Sequence, residues 1–394
     1  MAEVTIGIDG RCFLGAAAGT TRYVQELGLA LQTALGARQV LVYGPPNMKL
    51  PNTKGWAART EHRSWWRRLP TTLWYRWRAG RLASRDGVTV FVAGANILPL
   101  FSWLRPSPRI TPGRLSSVLV VHDLVAELFP RTMTWSHRLV HRLFLKSSIK
   151  RCDFLVVNSN GTASRLLDRY GRKPDVVLHP PIDPRFKLQN RATIESVRLA
   201  HELPERYILA VGTIEPRKNL SALVRACASL TEQGHDIGAL VIAGNQGWLT
   251  QEINAVILEA QHRGLDVRLL GYFPEVDLPA LYAGAQLFVL PSLYEGFGMP
   301  VAEALLCGAR VLAADTPETR EAGGDKPFYC PPTPDGLRSG ILQALAMPAV
   351  AWQPEPQGAD CQRTGHTVHQ HAWGSDVQKL VDLLRDKLCV DSPR

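Results

Sequence analysis

The sequence predicts an α/β protein: two doubly wound, Rossmann-like domains facing each other across a cleft. Three observations predict it. Short runs of strand-forming apolar residues alternate with helix-period segments in both halves of the chain. At 394 residues the chain is longer than one ordinary core accommodates, which points to two domains. A proline-rich break, His179-Pro180-Pro181-Ile182-Asp183-Pro184, separates the two series of strands and reads as a hinge. The expected division is residues 1–185, residues 186–372, and a terminal helical segment over 373–394.

Composition narrows the class. Apolar residues make up 45% of the chain and charged residues 20%, as in a folded protein rather than a disordered one. A net charge of +10 points to an anionic partner: nucleic acid, an acidic membrane surface or a phosphorylated substrate. The seven cysteines are widely spaced, odd in number and without a C-x-x-C, so neither a disulfide framework nor a zinc site is expected. The N-terminus enters a strand-like run directly, with no basic segment and signal core, and no stretch reaches ~18 uncharged apolar residues. A cytoplasmic location is expected.

In chain order, the first strand runs up to Asp9 and is followed by a loop with glycines at 10, 15 and 19, then a helix through Tyr23-Val24-Gln25-Glu26-Leu27. The loop has neither the G-x-G-x-x-G spacing of a dinucleotide fold nor a P-loop, which argues against a dehydrogenase or an NTPase. From Arg59 to Arg85, arginines alternate with Trp65, Trp66, Trp74, Tyr75 and Trp77. Indole rings suit the headgroup level and guanidinium groups pair with lipid phosphates. An amphipathic helix on an anionic membrane is therefore one reading, with Trp65, Trp66, Arg67, Arg68, Trp74 and Arg76 as its contacts. The competing readings are a helix that buries its tryptophans in the domain, and a grip on single-stranded nucleic acid.

Ser117-Val118-Leu119-Val120-Val121 is a buried strand that ends at His122-Asp123-Leu124. A side chain at the carboxyl end of a parallel strand faces the ligand crevice, so His122 is a candidate site residue, although an isolated histidine also serves as a satisfied core residue. A basic helix follows over 138–150 and extends the positive face. Phe154-Leu155-Val156-Val157 is the next strand.

In the second half, Tyr207-Ile208-Leu209-Ala210-Val211 leads through Gly212 to Arg217-Lys218 at a helix start. Two fixed cations there can balance a diphosphate. Two further strands, Leu240-Val241-Ile242-Ala243 and Val267-Arg268-Leu269-Leu270, each end in glycine. Tyr272 and Phe273 after the second are placed to stack on a base or to fill the core. Leu287-Phe288-Val289-Leu290 is followed by Tyr294-Glu295-Gly296-Phe297-Gly298-Met299-Pro300-Val301-Ala302-Glu303. Gly296 and Gly298 let an anion approach backbone N–H groups, and Pro300 fits the first turn of the helix. Glu295 and Glu303 bracket the loop with seven residues between them. Carboxylates repel phosphate but accept paired sugar hydroxyls, so a diphosphate with a sugar on each side, a nucleotide sugar, satisfies both features. The stretch 348–372, with His366, His369 and His371, lacks regular ligand spacing and reads as a loop. Trp373 to Leu388 is an amphipathic helix.

These residues resemble the retaining glycosyltransferases of family 4. Glu295 to Glu303 matches the family's E-x7-E signature, His122-Asp123-Leu124 its H-D-L, Arg217-Lys218 its R-K pair, and Trp373 the start of its closing helix. The resemblance implies the GT-B fold, with the terminal helix packed back on the N-terminal domain. It implies that Glu295 meets the donor sugar and Glu303 the ribose, and that His122 contacts the sugar near the reacting carbon. Gly19 would face the donor phosphates, and Arg217, Lys218, Phe297, Gly298, Met299, Pro300 and Val301 would line the donor, with Tyr272 at the base. It implies retention through an oxocarbenium-like state, with the departing phosphate on the acceptor face. No D-x-D occurs, so the ligand pair of the metal-dependent alternative glycosyltransferase fold is missing, and neither a metal nor another cofactor is expected. At family level the donor is GDP-mannose and the acceptor a lipid-linked oligosaccharide or a polysaccharide, handled at the inner face of the cell membrane, with no nucleic acid. Rival readings are another GT-B enzyme, an epimerase or a phosphorylase, and a non-catalytic basic module that binds lipid or nucleic acid.

Overall fold

The computed structural model describes residues 4–14, 19–60, 71–100, 115–347 and 373–390. The chain forms two compact units: Met1–Glu127 with Ser136–Pro181 and His371–Arg394, and Leu128–Trp135 with Ile182–Gln370.

The first unit is built on a seven-stranded sheet of β1 (Thr5–Asp9), β2 (Gln39–Tyr43), β3 (Trp56–Arg59), β4 (Val90–Ala93), β5 (Ser116–Val121), β6 (Phe154–Val157) and β7 (Val176–Val177). Their order is β3-β2-β1-β4-β5-β6-β7, and every pairing is parallel. The second unit repeats the plan with β8 (Tyr207–Val211), β9 (Ala239–Ala243), β10 (Val267–Gly271), β11 (Leu287–Leu290), β12 (Val311–Ala314) and β13 (Phe328–Cys330). Its order is β10-β9-β8-β11-β12-β13, again parallel throughout. Winding therefore reverses at β1/β4 in one sheet and at β8/β11 in the other. Open α/β sheets bind ligands beyond the carboxyl ends of the strands at such points.

Both sheets are covered on both faces, which is why their strands read as unbroken apolar runs. Alternate residues feed opposite cores: Val118 and Val120 lie in one cluster, Leu119 and Val121 in the other. In the second unit Ile208 and Ala210 face one core while Tyr207 and Leu209 face the other.

The helix Gly374–Val390 belongs to the first unit. Val377, Leu380, Val381 and Leu384, at helical spacing, enter the same core as Ile6 and Ile8. Trp373 packs its ring 4.8 Å from that of Tyr23 and donates its indole N–H to the His179 carbonyl. Lys387 pairs with Asp153 further along.

The segment 71–85 corrects a sequence expectation. Trp74 and Arg76 are buried, together with Tyr75, so neither rests on a membrane surface. Arg76 donates to the Leu98 carbonyl (2.6 Å) and Ser147 Oγ (3.2 Å), and its guanidinium lies over the Phe144 ring. Trp74 and Tyr75 share a core with Phe91 and Leu145. Trp77 alone of the three aromatics at 74–77 is exposed. Trp65, Trp66, Arg67 and Arg68 lie outside the described residues, as do His366, His369 and His371. Among the described residues no helix is long and apolar enough to cross a membrane.

Candidate functional site

The second unit gathers its chemistry at the β8/β11 reversal. Gly212, at φ +140°, follows β8, and a Cβ there would stand 3.2 Å from Lys218 Cε, so glycine leaves room for the lysine to fold over the strand end. Pro216–Lys218 forms a tight turn, and Asn219, left-handed at φ 56°, starts the helix Leu220–Glu232. The Asn219 amide donates to the carbonyls of Pro291 (3.0 Å) and Pro332 (2.9 Å), tying the loops after β8, β11 and β13 together. Leu293 N–H donates to the Arg217 carbonyl in return (3.0 Å).

This frame places Glu295 among donors. Lys218 Nζ donates to Oε1 at 2.7 Å, Arg217 Nη1 to Oε2 at 2.9 Å and Ser292 Oγ to Oε1 at 2.6 Å. Arg217 also holds the Tyr294 carbonyl (2.9 Å) and the buried Glu215 carboxylate (2.5 Å). Burial by itself would raise the Glu295 pKa. The adjacent Lys218 and Arg217 charges, with the Lys218 and Ser292 hydrogen bonds, overcome that and hold it at about 2. Two carboxylates and two cations thus form one compact cluster.

Gly298, at φ +99°, caps the helix Met299–Leu306. Phe297 and Met299 are half-buried and pack on the core below, and Pro300 sits in the first turn. The side chain of Val301 is wholly buried, in one core with Ala302 and Ala304, and its N–H donates to the Gly298 carbonyl (2.9 Å). Glu303 is buried one turn on and accepts from Tyr282 Oη at 3.0 Å. Of the two aromatics after β10, Phe273 is a core residue whose ring meets that of His201 at 4.5 Å, while Tyr272 is 60% exposed and free to stack.

The first unit carries its own constellation at β1/β4. His122, after β5, is set by Asn96, which has φ 60°: the Asn96 Oδ1 accepts from His122 N–H (3.0 Å) and its Nδ2 donates to the Asp123 carbonyl (3.4 Å). His122 Nε2 lies 2.8 Å from the Gly94 carbonyl. A carbonyl only accepts, so Nε2 carries the proton and Nδ1 keeps its lone pair. Burial lowers the His122 pKa against the opposing pull of Gly94 and Asp123, which keeps the ring neutral at pH 7. Arg11 spans the loops after β1 and β4: it pairs with buried Asp9 at 2.7 Å, donates to the Ala95 and Ile97 carbonyls and lies over the Tyr75 ring. Gly19 is the exposed first residue of the helix Gly19–Leu35.

The structure therefore brings Arg217, Lys218 and Glu295 into direct contact, with Glu303 in the helix that Gly298 opens. Sequence reasoning missed Asn219, Tyr282, Glu215, Ser292, Asn96 and Arg11. Of these, only Asn219 carried a readable signal, as an Asn directly before a helical run. Among the described residues no group of three His, Cys, Asp or Glu could hold a metal ion.

Comparison with known proteins bears on both units. Residues 17–186 match the family model described as Glycosyltransferase Family 4, and residues 193–357 match the model described as Glycosyl transferases group 1. O-antigen chain mannosyltransferase B of Escherichia coli is 38% identical over 140 residues, 35% of this chain and 36% of that protein. D-inositol 3-phosphate glycosyltransferase of Salinispora tropica is 34% identical over 181 residues, 42% of this chain and 37% of that protein. The match thus spans little more than a third of either relative's length. Sucrose-phosphate synthase from Thermosynechococcus elongatus has the same fold, with a TM-score of 0.71 at 18% identity, over 99% of this chain and 100% of that one.

Proposed function

The chain belongs to the family 4 glycosyltransferases and has their GT-B fold, and from that premise we propose that it is a retaining hexosyltransferase of cell-surface glycan synthesis. Its donor is a nucleotide sugar, GDP-mannose by preference, and its acceptor a lipid-linked oligosaccharide or a polysaccharide. Support for mannose comes from the Escherichia coli relative, a mannosyltransferase by name.

One observation carries the proposal: Lys218 and Arg217 converge on Glu295 at the β8/β11 reversal, where an open α/β sheet takes its ligand. In the proposed mechanism the two cations and the start of the Met299–Leu306 helix neutralise the diphosphate, so the reaction needs no metal. Glu295, released from Lys218, holds hydroxyls of the transferred sugar, while Glu303, oriented by Tyr282, accepts from the ribose. In the first unit, neutral His122 offers Nδ1 as an acceptor. The departing phosphate stays on the acceptor face and takes the acceptor's proton.

The test is NMR of the protein with GDP-mannose, GDP-glucose or UDP-glucose, with and without a polyprenol-diphosphate oligosaccharide. The expected result is consumption of GDP-mannose ahead of the others and an α-configured product, both abolished in Glu295→Ala. A β-configured product, or no consumption of any nucleotide sugar, overturns it.

A further inference from the structure

Segments far apart in sequence meet at His122 in the first unit. Asn96 holds its backbone N–H, and the Gly94 carbonyl holds its Nε2. One hydrogen bond that water can replace favours the bound orientation of a half-buried ring by a factor of only about five, so a fixed imidazole needs a wall as well. Tyr23, from the helix Gly19–Leu35, supplies it. Its ring meets the imidazole edge to face, with centroids 5.0 Å apart and planes at 86°. Tyr23 is itself pinned: it is 2% exposed and donates its hydroxyl to the Leu178 carbonyl at 2.8 Å.

Trp373 backs Tyr23, with its ring 4.8 Å away at 63°, and donates its indole N–H to the next carbonyl along, that of His179. The two aromatics are thus fixed to successive carbonyls just after β7. Core filling alone asks for neither, because a leucine or phenylalanine occupies such space without a polar atom that burial obliges to find a partner. Trp373 directly precedes the helix Gly374–Val390, whose apolar side chains share a core with Tyr23. We propose that Tyr23 and Trp373 are positioning residues for His122: the terminal helix, by seating Trp373 on Tyr23, fixes the imidazole so that Nε2 stays on Gly94 and Nδ1 is the acceptor the ring presents. The inference deepens the proposed function and rests on it only for the rate, since the state of the ring is read without substrate.

The test is nitrogen NMR of the histidine rings in the full chain at about pH 8, above the ordinary histidine range, with His122 assigned from the spectrum of His122→Gln. In the wild type one His122 ring nitrogen should be protonated and the other bare. Tyr23→Phe should lower the melting temperature yet keep that pattern, because the ring remains. Tyr23→Leu should move both nitrogens toward the averaged positions of a free histidine, and Trp373→Leu part of the way. Transfer from GDP-mannose should fall roughly 10- to 100-fold in kcat in Tyr23→Leu, with the KM for the donor and the rise in melting temperature on adding GDP as in the wild type. Wild-type His122 signals in Tyr23→Leu overturn the proposal, whatever its melting temperature, and would mean that the two aromatics only fill the core. Where Tyr23→Leu does not fold, unmoved signals in Trp373→Leu overturn it. Signals as expected in a wild type that consumes no nucleotide sugar would leave the positioning standing and refute the proposed function instead.

Discussion

A carboxylate buried against two cations does not behave like one in water. Glu295 in the folded chain titrates at about 2, below its ordinary value of 4.5. Its ionised form therefore stabilises the fold at any pH above about 5, and that contribution drains away as pH falls towards 2. The shift corresponds to at most about 3 kcal/mol. Glu295→Gln should accordingly lower stability at pH 7 and show a flatter loss between pH 5 and 2, measured by urea unfolding at stepped pH. An unchanged acid limb in the variant would mean that the carboxylate is not held by Lys218 and Arg217. The candidate site residues were legible in the sequence by type: Glu295, Arg217, Lys218 and His122 follow strand ends, which apolar runs locate, and Glu303 stands in the helix after the glycine loop. Those that aim them were not. Asn96 is 26 residues from His122, and Tyr282 is 21 residues from Glu303. Only the folded topology makes them neighbours.

At the scale of elements, periodicity located the strands because parallel strands covered on both faces are unbroken apolar runs. Over 71–85 composition left a membrane-surface helix and a helix that buries its tryptophans both open, and Trp74 and Arg76 are buried. The wide turn Tyr75–Ala79 forms part of a helix wedged into the domain. Arg76 can be buried there because its charge meets the Leu98 carbonyl, Ser147 and Phe144, partners far away in sequence. The turn at Asn219 shows a tie between elements that can be measured. Asn219→Ala loses both amide bonds and strains a left-handed backbone, which should cost about 2–3 kcal/mol. Asn219→Gly relieves the strain alone and should recover about 1 kcal/mol of it. Equilibrium unfolding of the two variants checks this. Equal losses would show that the backbone is not strained, and no loss in either would show that the loops after β8, β11 and β13 do not depend on the amide.

On the scale of the whole molecule, two sheets with the same winding order each carry polar chemistry where that order reverses. Glu295, Lys218 and Arg217 mark that place in one unit, and His122 with Asn96 lies beside it in the other. The net charge of +10 gives this arrangement its context. Part of it falls on Arg217 and Lys218 beside the glycine loop, and part on the outer face of the Trp135–Arg151 helix. Composition could announce an anionic partner but could not divide the charge between them, because exposure depends on packing. The central claim is that a nucleoside diphosphate sits on the second unit by displacing Glu295 from its cations. Titration calorimetry with GDP on the wild type and on Lys218→Ala tests it most directly. The account predicts binding by the wild type and an affinity about 10- to 100-fold weaker in the variant, as expected for a lost charge-assisted hydrogen bond. Equal affinity in the two proteins, or no binding of GDP, UDP, dTDP or ADP by the wild type, would contradict it.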